Sequence, residues 1–118
     1  MLSGLALLSG PALALSAPDN PGFPESLQGQ WTSDPSACGN EDTTGMRISG
    51  ESIAFYEATG WPSVIRTGND GAITAEIAYK GEGRMWTATD HFTLSADRRS
   101  VHVDAMGKSF RLQRCPAR

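Results

Sequence analysis

The two histidines of the chain, His91 and His102, are the residues best suited to metal chemistry. They lie on either side of a turn, and antiparallel pairing with Ser95 opposite Ser100 sets His91 opposite Asp104 and diagonal to His102. Two imidazoles and a carboxylate on one face could ligate zinc or copper. Alternate polar residues on a solvated strand face give the same pattern without a metal. We expect that simpler role, and no cofactor.

Other residues with catalytic potential lack the pattern that their chemistry needs. Ser95 or Ser100 could join a Ser-His-Asp set, but neither lies in a nucleophile-turn motif and no oxyanion-hole motif accompanies them. Glu57 and Glu82 fall at predicted strand ends, and paired carboxylates can hydrolyse glycosides, but the sequence sets no separation between them. The acidic loop at 41–42 lacks the ligand order of an EF-hand. We therefore expect a protein that is not an enzyme.

Composition and charge indicate one small all-β domain. The chain has 118 residues, with 13 glycines and nine aromatic residues, a mix that suits a turn-rich β domain. The net charge of −3 argues against a nucleic-acid partner, because such domains carry a basic excess. Charge is uneven along the chain, with −7 over residues 1–79 and +4 over 80–118. Opposite charges facing each other across a closed sheet would account for this distribution.

The first residues predict export from the cytoplasm. Residues 1–16 form an uncharged apolar run, too short to span a bilayer comfortably, and end in small residues typical of a cleavage site. We interpret them as a signal peptide, although no lysine or arginine precedes the run. The mature protein is then periplasmic or secreted, with no membrane span. Residues 17–27 follow as a Pro-rich leader that we expect to be extended and to run over the surface.

The two cysteines fit an oxidising compartment. Cys38 lies in the first loop and Cys115 near the end of the chain, and an even pair in an exported protein is more often bridged than free. A bridge would close a loop of about 77 residues and stabilise the fold by roughly 4–5 kcal/mol. Zinc or thiol chemistry would need a second pair or a Cys-x-x-Cys motif.

Short alternating segments separated by turn residues predict eight strands in the barrel domain, 28–118. The clearest pair is the hairpin 84–105, in which Leu94 faces Val101 and Phe92 faces Val103. Asp90 falls on the apolar face of this hairpin and suggests a bulge or a rim there. The predicted strands are 27–32, 45–49, 52–57, 63–67, 73–79, 84–94, 101–105 and 109–114.

Eight short strands without a long helix favour an antiparallel up-and-down β-barrel, because closure removes exposed edge strands. A bridge from the end of the first strand to the end of the last requires those strands to be neighbours, which also favours a barrel. A two-sheet sandwich is the alternative. We expect bulky residues to fill the interior, and Trp61 and Tyr79 to fill the core or its rim. The predicted aromatic core is Trp31, Phe55, Trp86, Phe92 and Phe110.

These features together resemble small exported bacterial proteins built as lipocalin-like β-barrels, a resemblance that names no activity. More distantly, a small barrel with a Gly-x-Trp first strand is similar to periplasmic inhibitors of secreted metalloproteases. Those inhibitors act through an extended N-terminal segment and carry both cysteines early in the domain. The segments that carry the first resemblance are 27–31, Cys38, 55–57, 81–86, 94–97 and 114–115.

Two functions follow as expectations. The first is a non-catalytic binding protein that engages or inhibits a protein partner in the envelope, such as an envelope or secreted hydrolase, through its surface or the leader 17–27. The second is a carrier that holds a small apolar ligand in the mouth of the barrel. The first is favoured only because no catalytic pattern is visible.

Overall fold

The computed structural model describes residues 22–39, 45–55 and 57–116. The predicted signal peptide, the start of the Pro-rich leader and the acidic loop at 41–42 lie outside the described residues. Eight antiparallel strands follow one another around a closed barrel in chain order, as the sequence predicts. The strands are β1 (Gly29–Thr32), β2 (Gly45–Ile48), β3 (Ile53–Phe55), β4 (Ala58–Thr67), β5 (Ala72–Gly81), β6 (Arg84–Leu94), β7 (Ser100–Ala105) and β8 (Lys108–Arg114).

The hairpin of β6 and β7 has the predicted register. His91 lies opposite Asp104, Phe92 opposite Val103 and Leu94 opposite Val101. The turn forms because the Ser95 amide donates to the Ser100 carbonyl at 3.0 Å and the Arg98 amide donates to the Ser95 carbonyl at 2.9 Å. Alternation along both strands sends apolar side chains inward and polar side chains outward.

The barrel closes where β1 meets β8. Trp31 pairs with Arg114 and Thr32 with Gln113. The predicted disulfide lies beside this seam and joins Cys38 to Cys115, whose Cα atoms are 5.5 Å apart. As expected from Asp34 and the proline after it, a single 3₁₀ turn (Pro35–Ala37) leads into Cys38. Among the described residues, no helix is long and apolar enough to cross a membrane.

Residues 22–27 do not run over the surface as predicted for the leader. A 3₁₀ turn (Glu25–Leu27) brings Phe23 and Leu27 into the core, where they are 3% and 0% exposed. The Phe23 amide donates to the Gly50 carbonyl at 2.9 Å, which ties this turn to the end of the barrel that carries the β2–β3 turn. We call this the closed end. Burial of two large apolar side chains outweighs the extended preference of the prolines.

Strand β4 is longer than predicted because Gly60 continues it. A Cβ at Gly60 would lie 2.5 Å from Ile77 Cγ2 and 2.7 Å from the Tyr79 ring, so glycine makes room for these inward side chains. Trp61 consequently points outward, opposite Ala78, and is 47% exposed rather than in the core. The register shift of the barrel lies in β4, between Pro62 and Val64.

The five aromatic residues of the predicted core differ in how deeply they are buried. Trp31 and Phe92 are fully buried, and Tyr79 joins them. Phe55, Trp86 and Phe110 are half-buried and pack against that core. The fully buried apolar core comprises Phe23, Leu27, Trp31, Met46, Ile48, Ile53, Ala58, Ile73, Ala75, Ile77, Tyr79, Phe92, Leu94, Val101, Val103, Ala105 and Leu112.

Candidate functional site

The end of the barrel opposite the closed end holds the half-buried aromatic residues. Because the strands alternate in direction, the β3–β4, β5–β6 and β7–β8 turns all lie at this end, which we call the mouth. Tyr79 lies between two rings, with its centroid 6.2 Å from that of Phe55 and 5.4 Å from that of Trp86. The Tyr79 and Trp86 rings are stacked, with an interplanar angle of 20°.

A gap in the wall opens beside these rings. Strand β6 pairs with β5 from Arg84 to Thr93, but it pairs with β7 only from His91 to Leu94. On the side of β7, the edge of its first half therefore has no strand paired with it, and the inner face beside this edge is reached from the gap. A cleft of about 410 Å³ lies between this face and the β7–β8 turn, and we call it the mouth cleft. Six of the residues that line it are Trp86, Ala88, Asp90, Ala105, Met106 and Lys108.

Asp90 is the unusual residue of the mouth cleft, because its carboxyl lies on the apolar inner face and the residue is 1% exposed. The Tyr79 hydroxyl donates a hydrogen bond to Asp90 Oδ2. The small side chains of Ala75, opposite Asp90, and of Ala88 leave room for the phenol to reach along the sheet. The position of the carboxyl therefore depends on residues of both β5 and β6.

Burial sets the protonation of this pair. Burial raises the pKa of Asp90 above 3.8, while the Tyr79 hydrogen bond and the nearby charge of His91 partly oppose that rise. Burial, followed by the neighbouring carboxyl, also raises the pKa of Tyr79. The phenol therefore keeps its proton and remains the donor, and Asp90 is the member of the pair that titrates.

In the part of the chain that the structure describes, Asp90 belongs to no ion pair, and His91, whose charge acts on it, has its imidazole engaged by Thr74. The two ion pairs there join Arg66 to Glu76 and His102 to Asp104. Tyr79 is the one hydrogen-bond donor that those residues supply to Asp90. No fully buried side-chain polar atom among them lacks a partner. Asp90 itself lines the mouth cleft.

Strand β6 does not bulge at Asp90, and of the two expected alternatives, a bulge or a rim, the structure has the rim. Its pairing with β5 runs without a shift through Ala75 and Asp90. The pairing with β7 ends one residue later along β6, at His91 and Asp104. The carboxyl on the apolar face thus marks the place where the barrel wall opens, not a distortion of the strand.

The three metal candidates share the outer face of the β6–β7 hairpin, as the register predicts. His102 Nε2 lies 3.5 Å from Asp104 Oδ1, whereas His91 Nδ1 lies 3.2 Å from the Thr74 hydroxyl. A hydrogen bond from Ser109 is the main cause that lowers the pKa of Asp104, and the two histidines add to it. Across the described ranges, no three groups of the metal-binding kind come together.

The structure brings together the two carboxyl groups at the predicted strand ends. A hydrogen bond with Glu82, and its charge, raise the pKa of Glu57. Both residues are exposed on the rim. A glycosidase needs its two carboxyls about 5 Å apart or more, with substrate between them. Hydrogen-bonded carboxyls at an open rim do not have that arrangement.

The serines of the β6–β7 turn have structural partners. The Ser95 hydroxyl donates to Asp97 Oδ1 at 2.7 Å and accepts from the Ser100 amide at 3.1 Å. The hydrogen bond from Ser95 is the main cause that lowers the pKa of Asp97. These contacts hold the turn, and His91 is engaged elsewhere by Thr74.

Tyr79 and Asp90 were not among the site residues that the sequence predicts. The signal was present, since Asp90 breaks the apolar face of the hairpin. Its partner Tyr79 lies 11 residues earlier on β5, four positions along that strand from Ala75, the residue opposite Asp90. Strand patterns do not predict that a phenol reaches so far along the sheet.

No family model, curated protein or solved structure matches this chain. The resemblance to exported lipocalin-like proteins and to metalloprotease inhibitors therefore stays a prediction from the sequence.

Proposed function

We propose that this protein binds a small organic ligand at the mouth of the barrel and performs no catalysis on it. The observation that carries the proposal is the edge of β6 that β7 leaves unpaired, beside which Trp86, Ala88 and Asp90 line a cleft of about 410 Å³. Ligand sites are typically concave, with apolar walls and a few fixed polar groups. The mouth cleft combines apolar residues with polar ones that include Asp90, and its volume lies within the usual range for ligand pockets.

We further propose that the protein works in the periplasm or outside the cell. The disulfide between Cys38 and Cys115 supports an extracytoplasmic location, because such bonds persist in oxidising compartments. A binding protein there meets ligands from the surroundings of the cell. The expectation that residues 1–16 are a signal peptide belongs to the same proposal.

Native mass spectrometry of the protein, recovered undenatured from cells that make it, tests the ligand proposal. We expect a small-mass adduct that is lost on denaturation. The Ala88→Phe variant should lose the adduct, since Ala88 lines the mouth cleft and phenylalanine would fill it. Ala78→Phe is the matched control, because Ala78 lies on the outer face of β5, is exposed, and pairs with Thr87.

Absence of an adduct from the native protein, or an adduct that Ala88→Phe retains, would count against the proposal. A cooperative thermal transition in both variants is required, so that loss of the adduct reports the cleft and not unfolding.

A second candidate function is engagement or inhibition of an envelope or secreted hydrolase. The supporting observation is the outer face of β4 and β6, where Trp61 is 47% and Met85 is 80% exposed. Tryptophan is enriched among residues that dominate protein interfaces. Because Phe23 and Leu27 are buried in the barrel, any N-terminal contribution to such binding would come from residues before Gly22.

Inhibition assays on purified secreted proteases and cell-wall hydrolases test this second function. We expect Trp61→Ser to weaken inhibition by at least about tenfold while the thermal transition is kept. Equal inhibition by native protein and variant would remove this face from consideration.

A further inference from the structure

The mouth cleft is lined by the buried carboxyl of Asp90, which belongs to no ion pair among the described residues. Buried charges in proteins are normally paired, because an isolated ion in an apolar place is costly. Asp90 accepts a hydrogen bond from Tyr79, lines the cleft and belongs to neither ion pair of the described residues. The charge of His91 opposes the effect of burial less than the Tyr79 hydrogen bond does, and the His91 imidazole lies on the outer face beside Thr74. A positively charged donor in the cleft would supply a direct partner for the carboxylate.

A tryptophan ring lines the cleft beside this carboxyl. Trp86 is half-buried, lines the cleft, and stacks on Tyr79 at a centroid distance of 5.4 Å. An organic cation is attracted to the face of tryptophan or tyrosine when it lies within about 6 Å of the ring centroid. One carboxylate and aromatic rings suit an organic ammonium ion, since divalent metals need four or more ligand atoms.

We propose that the mouth cleft binds the ammonium group of a small amine, with the Asp90 carboxylate as its counter-ion and Trp86 against its apolar body. This inference rests on the proposed ligand-binding function and names the chemical class of the ligand. Ala88 and Met106 provide apolar surface for a body of about one ring. The ligand thus combines one positive charge with a compact apolar part.

The other ionisable residues that line the cleft, His91, Asp104 and Lys108, lie at its exposed rim. Asp104 accepts a hydrogen bond from Ser109 and pairs with His102 at 3.5 Å. Lys108 lies in β8 just after the turn, is exposed, and is in neither ion pair of the described residues. Its positive charge at the rim would repel a bound ammonium group. Removing its charge with Lys108→Met should therefore strengthen amine binding.

The test compares two probes of the same shape on the native protein. Phenethylammonium carries the charge, and phenethyl alcohol replaces the ammonium by a neutral hydroxyl. Both are titrated in phosphate buffer without other amines, and binding is followed by the amide resonances of Ala88 and Met106. We expect phenethylammonium to bind at least about tenfold more tightly, because hydrogen bonds between charged groups are the stronger ones.

The variant Asp90→Asn then removes the charge and keeps an acceptor for Tyr79. The preference for phenethylammonium should disappear, while the affinity for phenethyl alcohol stays within about twofold. Asp104→Asn is the matched control, since it removes an equal charge from the rim of the cleft. We expect it to keep the preference.

Each outcome separates the two proposals. Equal binding of both probes by the native protein overturns the ammonium inference and leaves the ligand proposal standing. Binding of neither probe at Ala88 and Met106 contradicts both proposals. Equal loss of preference in Asp90→Asn and Asp104→Asn would mean that a diffuse acidic field attracts the cation, which also overturns the inference. If Asp90→Asn does not fold, the native-protein comparison decides alone.

Discussion

At the scale of single residues, Asp90 is an acid placed where an apolar residue would pack. Its burial disfavours the charged form, and Tyr79 compensates only in part. A site that binds an ion is often less stable without it, because the binding groups are arranged for the ligand and not for the fold. If a cation binds Asp90 as proposed, it should raise the free energy of unfolding.

The pH dependence of stability measures this cost. The folded-state pKa of Asp90 is raised above 3.8, so the stability that its proton contributes is present below that pH and is lost as the pH rises through the raised value. Asp90→Asn has no such proton. We expect its free energy of unfolding, relative to the native protein, to increase from about pH 3.5 to about pH 7. Urea unfolding in amine-free buffer gives both values, and a constant difference would contradict the pKa argument.

A second residue-scale prediction concerns Gly60. A methyl group at this position would lie 2.5 Å from Ile77 and 2.7 Å from Tyr79, inside the barrel. We expect Gly60→Ala to lower the free energy of unfolding by about 1–3 kcal/mol. Gly68→Ala is the control, because its Cβ would meet its nearest neighbour at 3.7 Å, and it should change stability by less than about 0.5 kcal/mol. Chemical denaturation checks both, and equal effects would contradict the packing argument.

At the scale of elements, the N-terminal 3₁₀ turn belongs to the barrel. Phe23 contacts Phe92 edge-on, with ring centroids 6.2 Å apart. Arg114 holds the chain after Phe23 from the other side: its Nη1 donates to the Gln28 carbonyl at 2.8 Å, and its guanidinium lies 4.1 Å from the Trp31 ring centroid. The closed end is thus built from an N-terminal turn and the last strand.

Removal of one anchor of this turn tests its role. We expect Phe23→Ala to lower the free energy of unfolding by about 3–5 kcal/mol, the usual cost of deleting a buried aromatic ring. Glu25→Ala is the matched control, since Glu25 is exposed in the same turn and should cost less than about 0.5 kcal/mol. Equal small effects in thermal and urea unfolding would show that the turn is only loosely attached.

The elements also show what could be predicted from the sequence. The β6–β7 register was predictable, because a turn with defined polar residues fixes which side chains face each other. The path of β4 was not predictable. Gly60 is typical of a turn, but here it is a strand residue whose missing side chain leaves room for the Tyr79 ring. The Pro-rich leader was misplaced for a similar reason: prolines describe local backbone, whereas the burial of Phe23 is a tertiary effect. The carboxyl of the candidate site was visible in the sequence, but the reach of the Tyr79 phenol along the sheet to Asp90 was not.

At the scale of the whole molecule, the disulfide ties the first loop to the last residues. Cys38 and Cys115 are separated by 77 residues, so the bond shortens the unfolded chain substantially. In the chain-entropy model, this stabilises the fold by about 4–5 kcal/mol. The same bond fixes the two strands that close the barrel.

Replacement of both cysteines by alanine should therefore lower the free energy of unfolding by about 4–5 kcal/mol, or somewhat less if the unfolded chain keeps structure. Reducing agent should bring the native protein to the stability of the double variant and leave that variant unchanged. Urea unfolding with and without reductant checks this. A native protein that is insensitive to complete reduction would contradict the entropic role.

The order of strands around the barrel has a consequence for how the chain assembles. Seven of the eight strand pairings join neighbours in sequence, and the eighth, between β1 and β8, consists of two residue pairs. Local hairpins close short loops, whereas without the disulfide the seam must bring together distant parts of the chain. In the variant that lacks both cysteines, we expect the seam to form after the rate-limiting step. Substitutions at Thr32 and Gln113 in that variant should thus speed unfolding and leave the refolding rate nearly unchanged, as stopped-flow kinetics would show.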